Sequence, residues 1–352
     1  MQSALDFLFG DLLPDFPFKD ESSRVHALAL LLLPLVRSMI PGPTPLHLIT
    51  APLPRTGKTK LVNVCALATS GQIAQLCPPS KDNEEWRKQI TATLRSAPAV
   101  ALIDNLEPGR NTSSTNLAAL LTSKVWTARE LGTNRNVSLP NDTIWTATGN
   151  NPALSRELAD RCVWIHLDPA SSDPSSRCNF QQPYIETYAQ KAQGRICGAL
   201  ACLVDHWLQS KAQWAGSLGG FEHWSKVIGG ILEACGLGAH LLANRAWMRK
   251  RISPAQDEWS AFVLAWYLAF VSTPATATEL FNLADDEGLL DTARGAGNER
   301  SQKTKIGIAL RGMTDRHFSV IDPNTGQDMT LQVTDGGAQT RTRAKTYKLV
   351  KV

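Results

Sequence analysis

The sequence of 352 residues predicts an α/β fold with a mostly parallel, doubly wound sheet. Four short apolar runs alternate with helix-like stretches, and such continuous runs are typical of strands that are buried on both faces. The first three runs are each followed by polar residues suited to chemistry, as expected where parallel strands end at one edge of a sheet. The runs span residues 46–50, 99–103, 144–148 and 163–167.

Composition sets broad limits on the class of protein. Hydrophobic residues make up 43% and charged residues 19%, which is ordinary for a soluble globular protein. The net charge of +4 is modest, so any affinity for nucleic acid must come from local basic patches. Seven cysteines without a C-x-x-C pair indicate reduced thiols and a cytoplasmic location. The longest apolar run, 27–36, is too short to cross a bilayer, so no membrane association is expected.

The pattern divides the chain into four parts. Residues 1–40 are predicted to form an irregular arm followed by one helix, and residues 41–183 the α/β core. Within that core, the Pro- and Ser-rich segment 169–183 is interpreted as a polar linker. Residues 184–253 are expected to be all-helical and residues 254–352 to form a separate small unit.

The first apolar run leads into a loop and then Gly57-Lys58-Thr59, which opens a helix. This is the layout of a P-loop, in which backbone N–H groups and the helix N-terminus bind phosphates. Lys58 would reach the β- and γ-phosphates of ATP, and the Thr59 hydroxyl would hold Mg²⁺. Pro52 stands where the motif has its first glycine. The residues predicted to bind nucleotide are Pro54, Arg55, Thr56, Gly57, Lys58, Thr59 and Lys60.

The second run ends in Asp104-Asn105 and is typical of a Walker B strand. Asp104 would lie beside the P-loop and hold the hydration shell of Mg²⁺, so Thr59 and Asp104 are the predicted metal residues. Asn105 stands where a water-activating glutamate is usual; it can orient water but cannot accept its proton. Glu107, or the pair Glu84–Glu85, remains an alternative base.

The third run ends in Gly149-Asn150-Asn151-Pro152. An asparagine here fits a sensor that contacts the γ-phosphate or the attacking water, and its strand is expected between the other two. The sequence does not choose between Asn150 and Asn151, and either could be a turn residue before proline.

Arg161 directly precedes the fourth run, at the predicted edge of the core. An arginine in this place can act as a finger that stabilises charge on a neighbouring subunit's γ-phosphate. The alternative is a surface ion pair with Asp160 or Glu157. Asp104, Asn105, Asn150, Asn151 and Arg161 are therefore the candidate catalytic residues.

In this order, the P-loop, Asp-Asn, Ala-Thr-Gly-Asn-Asn-Pro and Leu-Ala-Asp-Arg motifs resemble the AAA+ ATPase domain. More narrowly, residues 14–250 resemble the replicative helicases of phages, plasmids and other mobile elements, which are related to superfamily 3 and minichromosome-maintenance motors. The resemblance implies an AAA+ P-loop core, a helical lid and a homo-oligomeric ring, expected to be a hexamer. It also implies a primase partner, on another chain or in a segment removed from this one. The sequence departs from the family at Pro52 and Arg55.

A hairpin is predicted between the second and third runs, where Leu131, Val137 and Leu139 flank a turn with Arg135 at its tip. In the motors that the sequence resembles, such hairpins line the ring pore and grip single-stranded DNA. A basic tip of small residues suits phosphate contact without regard to sequence. The alternative is an ordinary surface hairpin.

The C-terminal part has the pattern of a winged helix, with helices predicted over 257–270, 279–284 and 301–311 and a hairpin over 320–333. Thr276 or Thr278 would cap the second helix and Ser301 the third. Lys303, Lys305 and Arg311 would face outward from the third helix and bind DNA, including duplex DNA. Alternatives are protein contacts or a merely solvated basic face.

These observations predict an ATP-dependent DNA helicase or translocase for replication of a mobile element. Two other hypotheses stay open: a DNA-binding loader, initiator or remodeller that does not unwind, and a nucleotide-binding scaffold that does not hydrolyse. Pro52, Arg55 and Asn105 motivate the scaffold. A sensor 2 residue could be any of Lys226, Arg245, Arg249 and Arg251.

Overall fold

The computed structural model describes all residues except 81, 109–110, 130–134, 170, 172, 253, 323–326 and 340–343. The chain forms two compact units, a core unit of residues 1–252 and a C-terminal unit of residues 253–352. None of the helices in the described part of the chain combines the length and the apolar character that a bilayer crossing needs.

A five-stranded parallel sheet lies at the centre of the core unit. The strands of this unit are β1 Leu46–Ala51, β2 Gln75–Leu76, β3 Val100–Leu106, β4 Asn111–Thr112, β5 Val125–Arg129, β6 Asn136–Pro140, β7 Ile144–Asn150, β8 Ala153–Leu154 and β9 Cys162–His166. The order in the central sheet is β2-β3-β7-β1-β9. Every pairing within it is parallel, which confirms the predicted α/β class with a mostly parallel sheet. Two short strands, β4 and β8, pair with each other, and β5 and β6 form an antiparallel hairpin.

Helices cover both faces of this sheet. Alternate residues of β1 point to different sides: Ile49 belongs to one hydrophobic core and Leu48 to the other, and both are fully buried. The sequence of β1 is largely apolar because its side chains pack against helices on both faces of the sheet. The helices of the core unit are α1 Gln2–Phe7, α2 Glu21–Val36, α3 Lys58–Ser70, α4 Asn83–Arg95, α5 Thr115–Leu120, α6 Arg156–Ala159, α7 Ile185–Lys191, α8 Gln193–Ser210, α9 Glu222–Trp224, α10 Gly230–Ala234 and α11 Arg245–Ile252.

The prediction of an irregular arm at residues 1–20 is wrong for its first part. Helix α1 continues into a π-helical turn, Leu8–Leu12, and this segment buries Leu5, Leu8 and Leu12. These leucines recur at helical spacing, and the first proline, Pro14, comes only after them. The prolines therefore end the helix rather than prevent it.

The region after residue 184 is helical, as predicted. Most of its buried apolar side chains share one hydrophobic core with α1, α2 and α3, whereas Met248 on α11 belongs to the other core. Asn63 on α3 also donates to the carboxylate of Glu186 on α7, 2.9 Å away. The helical region and α3 are thus packed against each other within the core unit.

The C-terminal unit combines three principal helices with a four-stranded antiparallel sheet. Its elements are α12 Pro254–Phe270, β10 Ala275–Thr276, α13 Ala277–Asp286, α14 Asp291–Arg294, α15 Glu299–Met313, β11 His317–Ile321, β12 Asp328–Ala338 and β13 Lys345–Lys351. The strand order is β10-β13-β12-β11. Thr276 caps α13 through a complete capping box with Glu279, which settles the choice between Thr276 and Thr278. The predicted cap of the third helix is wrong: the Asn298 side chain accepts from the backbone N–H of Ser301, so α15 begins earlier.

A fully buried histidine ties the N-terminal helix α2 to the sheet and to the helical region. His26 Nδ1 lies 2.6 Å from the Trp164 carbonyl oxygen, and the Leu242 N–H donates to Nε2. The ring therefore donates at one nitrogen and accepts at the other, which is the neutral form. Burial lowers the pKa of His26 from 6.5 to about 4.

We expect acid to destabilise the core unit through this histidine. The unfolded chain takes up a proton below pH 6.5 while the folded one resists until about pH 4, so stability is lost as the pH falls across that interval. Urea unfolding at pH 7.5 and pH 4.5 should differ by roughly 2–3 kcal/mol from His26 alone. His26→Gln should reduce that difference, and an unchanged pH dependence in this variant would contradict the assignment.

Candidate functional site

The three motif-bearing strands are neighbours in the sheet. Strand β7 lies between β3 and β1, as the sequence predicted for the asparagine strand. Ala51 at the end of β1 pairs with Asn150, and Asp104 lies within the last part of β3. The polar residues that follow three separate apolar runs therefore meet at one edge of the sheet.

Lys58, the first residue of α3, points into this cluster. Its Nζ donates to Asn150 Oδ1 at 2.7 Å, to Thr56 Oγ1 at 3.2 Å and to the Leu53 carbonyl at 3.3 Å. Burial lowers the pKa of Lys58, an effect that the nearby Asp104 partly offsets. The protein thus holds a cation in a desolvated place where its hydrogen-bond partners are neutral, an arrangement suited to an incoming anion.

Thr59 and Asp104 form the second part of the cluster. The Thr59 hydroxyl donates to Asp104 Oδ1 at 3.0 Å, and the Thr148 hydroxyl donates to the same oxygen at 2.5 Å. A hydroxyl and a carboxylate are the hard oxygen ligands that Mg²⁺ prefers. The described residues contain no group of three or more His, Cys, Asp or Glu that could hold a metal by themselves. A Mg²⁺ ion that is shared with phosphates fits this pair, whereas an all-protein cage does not.

The geometry distinguishes the two sensor candidates. Asn150 contacts Lys58 directly, whereas Asn151 is exposed and its N–H donates to the Ala51 carbonyl. Asn105 is also exposed, and its N–H donates to Thr148 Oγ1. Both Asn105 and Asn151 adopt positive φ angles, 63° and 43°, which asparagine tolerates better than most residues. Asn150 is therefore the asparagine placed beside the P-loop lysine.

The alternative bases are placed less directly. Glu84 and Glu85 lie in the first turn of α4 and pair with Arg87 and Lys88 on the same helix. Glu107 is exposed just beyond the end of β3. Among the hydrogen bonds described for Lys58 and Thr59, none involves these three carboxylates.

Within the loop before α3, burial separates the predicted nucleotide residues into two groups. Thr56 and Lys58 are buried, while Pro54, Arg55 and Lys60 are exposed. Gly57 caps α3 with φ of 92°, a conformation that side chains rarely adopt. Gly57 thus lets the chain turn directly into the N-terminus of α3, where backbone N–H groups can bind phosphate.

This loop forms one wall of a cleft of about 750 Å³. The rest of the lining comes from Phe16 and Pro17 of the N-terminal arm and from the 169–183 segment, including Arg177 and Phe180. The interpretation of 169–183 as a mere linker is therefore incomplete. Ring carbons of Phe16 lie 3.6 Å from where a Cβ on Gly57 would stand.

Asp15 ties the N-terminal arm to the 169–183 segment within the lining of the cleft. Its carboxylate accepts from the backbone N–H groups of Gln181 and Gln182 at 2.9 and 2.7 Å, and Arg177 donates to its carbonyl at 2.5 Å. The guanidinium of Arg177 in turn stacks on the Phe180 ring, 4.7 Å from its centroid. Sequence reasoning missed these residues, since they are remote from every motif; the only signal was the aromatic content of the arm.

Arg161 lies just before the edge strand β9. Its guanidinium donates to Glu157 at 2.8 Å, one turn earlier, which is one of the two ion pairs that the sequence allowed. The side chain is 22% exposed. Its partner Glu157 is 58% exposed, and helical pairs of this spacing contribute only about 0.3–0.5 kcal/mol, so this contact would not prevent the arginine from turning to another anion.

The predicted hairpin is present as β5 and β6, with Arg129 opposite Asn136. Trp126 packs it onto α4 and donates to Thr91 Oγ1 at 2.9 Å. Arg135 is exposed directly before β6, on the side of the turn, while Leu131 lies outside the described residues. The hairpin is anchored at its base and directs a cation away from the core.

The three basic residues predicted on the third helix of the C-terminal unit differ in their surroundings. Lys303 pairs with Glu299 at 2.5 Å and lies 5.3 Å from the Phe281 ring. Lys305 and Arg311 are exposed, and Lys305 also donates to the Ala296 carbonyl. Exposed Arg300, on the same helix, was missed by sequence reasoning.

No protein-family model matches the sequence, and no curated protein does. Among solved structures, the chain is similar to a JCV helicase that was crystallised with a small molecule bound. The two share 15% sequence identity with a TM-score of 0.29, over 68% of this chain and 70% of the helicase chain. The function is therefore inferred from the site and from the order of the motifs.

Proposed function

We propose that this protein is an ATP-hydrolysing motor that translocates on single-stranded DNA, a helicase-type enzyme of mobile-element replication. One observation carries the nucleotide part: Lys58 meets Asn150, and Thr59 meets Asp104, where three adjacent parallel strands end. This edge is where open parallel sheets bind their ligands. The DNA part is supported by the resemblance of the motif series to mobile-element helicases.

The residues of the cluster divide the work of binding a triphosphate. The backbone of the loop and the N-terminus of α3 would bind the phosphates. Lys58 would then exchange its hydrogen bonds to neutral protein groups for hydrogen bonds to phosphate oxygens. Thr59 and Asp104 would hold Mg²⁺, which, when bound, offsets negative charge on the phosphates. Asn150, within reach of the Lys58 amine, would orient the γ-phosphate or the attacking water. Asn105 and Asn151 are the further candidates for this role.

The remaining volume of the cleft suits the base and ribose. Besides the phosphate loop, its lining contains flat or apolar side chains, Phe16, Pro17 and Phe180. Aromatic rings stack well on nucleobases. We infer that the base lies against the arm and the 169–183 segment.

A conservative change at Phe16 tests this placement. Phe16→Leu keeps an apolar side chain but removes the flat ring, so we expect ATP affinity to fall about fivefold, equivalent to about 1 kcal/mol of lost stacking. Calorimetric titration should show a smaller loss of affinity for inorganic triphosphate, because triphosphate has no base to stack on the ring. Phe18→Leu is the matched control, since Phe18 is partly buried nearby but does not line the cleft. Equal losses for ATP and triphosphate would contradict the base assignment.

The wider assembly follows from the same proposal. Arg161 would reach the nucleotide of a neighbouring subunit in a homo-oligomeric ring, expected to be a hexamer, and the Arg135 hairpin would contact single-stranded DNA in the pore. The helical region would act as the lid and the C-terminal unit as a winged helix. A primase partner and a cytoplasmic location belong to this proposal as well.

Measuring ATPase rate with and without single-stranded DNA, across protein concentration, tests the proposal. A rate that rises with both is expected, because DNA couples to hydrolysis and each site needs two subunits. Strand separation of a forked duplex, followed by fluorescence, distinguishes a helicase from a loader. No turnover under any of these conditions would reject the motor.

Two specific observations keep other functions as second candidates. The exposed cations of α15 favour a DNA-binding loader, initiator or remodeller, which would show DNA-stimulated hydrolysis without strand separation. Pro52 in the loop and Asn105 beside Asp104 favour a scaffold, which would bind ATP tightly and release no phosphate.

A further inference from the structure

The exposed face of α15 has an isoleucine at its centre. Ile306 and Leu310 are fully buried in the core of the C-terminal unit, whereas Ile308 is 62% exposed. At 100° per residue, Ile308 lies almost opposite the midpoint of the two buried side chains. It is therefore the outermost side chain of the helix rather than one at its margin.

Cations surround this isoleucine. Arg300 and Arg311 project on one side of it and Lys305 on the other, and all three are exposed. The single acid of α15 is Glu299, which pairs with Lys303 near the start of the helix. The face around Ile308 thus combines one apolar group with three positive charges and no acidic side chain of α15.

We propose that this face enters the major groove of duplex DNA and that Ile308 contacts the 5-methyl group of thymine. The inference rests on the DNA-binding function proposed above and adds a residue that determines sequence preference. A helix of about 10–12 Å diameter fits a major groove about 12 Å wide. The thymine methyl is the apolar group that the groove floor offers, and phosphates on both rims match cations on both sides of the isoleucine.

Charge complementarity favours duplex DNA as the partner of this face of α15. Single exposed apolar residues are common on protein surfaces and need no partner. Here the apolar group is flanked by cations on both sides, which matches an apolar spot between two rows of phosphate. On the same face, leaving aside its chain neighbours and the nearby backbone of α15, no heavy atom of the described residues lies within 4 Å of where a Cβ on Gly312 would stand, which leaves room for close approach to the helix there.

The test uses the full-length protein and a chemical change of one methyl group. Selection from a pool of random duplexes should return a preferred site that contains thymine. Replacing that thymine by deoxyuridine, which lacks only the methyl, should weaken binding about fourfold, as expected for one buried methyl group. Ile308→Val should retain this discrimination, and Ile308→Ala should bind the thymine and uracil duplexes equally.

Two further variants separate sequence preference from general DNA affinity. Arg311→Ala should weaken binding to all duplexes alike and lower the salt dependence of log Kd by about one unit, while keeping the thymine preference. ATPase activity stimulated by single-stranded DNA should be unchanged in Ile308→Ala. Ile308 is exposed, so its loss is not expected to disturb folding.

The outcomes distinguish this inference from the proposed motor. If the wild type selects no duplex sequence, or if Ile308→Ala still distinguishes thymine from uracil, the inference is overturned even when ATPase and strand separation are intact. It is overturned as well if Ile308→Ala changes only the capture of a protein partner. Absence of nucleotide turnover would instead reject the motor and leave the thymine contact to be judged by the duplex measurements.

Discussion

Replacing Lys58 by alanine is expected to reduce ATP turnover at least about a hundredfold, because the change removes the one cation buried in the cluster. The stability of the protein should not fall with it. Burial lowers the pKa of Lys58, which means that keeping the charged ammonium group in the folded protein is unfavourable in free energy. The alanine variant lacks this unfavourable contribution. We therefore expect turnover to vanish while the melting temperature stays equal or rises.

Phosphate release and thermal unfolding, measured on the same samples, check this result. Lys191→Ala is the control, because Lys191 is an exposed lysine at the end of α7 and lies outside the cleft. Normal turnover in Lys58→Ala would remove the basis for the phosphate site. A large loss of stability would instead identify Lys58 as a structural residue.

Replacing Arg161 by alanine should reduce ATP turnover about a thousandfold and leave ATP binding intact. The reason is that the arginine would act on a neighbour's γ-phosphate rather than on the nucleotide of its own chain. Arg156→Ala is the control, since Arg156 also pairs with a nearby acid, Asp160, but is 60% exposed.

Mixing the two inactive variants gives the sharper measurement. In the mixture, some interfaces combine the intact Lys58 of an Arg161→Ala subunit with the intact Arg161 of a Lys58→Ala subunit. Such an interface contains both residues that the proposed site needs. Partial recovery of turnover in the mixture is therefore expected for a shared site. An inactive mixture would indicate that Arg161 acts within its own chain, and full activity of Arg161→Ala would exclude it from catalysis.

The sheet could be predicted because each buried strand needs apolar residues on both faces. That demand explains the runs at residues 46–50 and 144–148, and the parallel pairing of β1, β3 and β7 followed from them. The prediction of an irregular arm was wrong because it relied on the prolines and overlooked the helical spacing of Leu5, Leu8 and Leu12. The cap of α15 was misplaced by three residues because asparagine and serine are both good N-caps.

The site could be predicted only where a motif marked it. The sequence offered Asn150 and Asn151 equally, and only the fold places Asn150 at 2.7 Å from Lys58. Phe16 and Asp15 carry no motif, and they reach the cleft because the arm pairs with the end of β9, where Asp168 N–H donates to the Pro17 carbonyl. Such contacts depend on tertiary packing between distant segments, which local patterns do not encode.

The packing of the arm has a consequence for synthesis of the chain. Phe7 and Asp11 contact Arg195, and Asp11 precedes that arginine by 184 residues. At 5–20 residues per second, the ribosome needs about 10–40 s to make the intervening chain. The apolar side of α1 is therefore without its partner on α8 for that time, and we expect chaperones to bind this segment until α8 has been made.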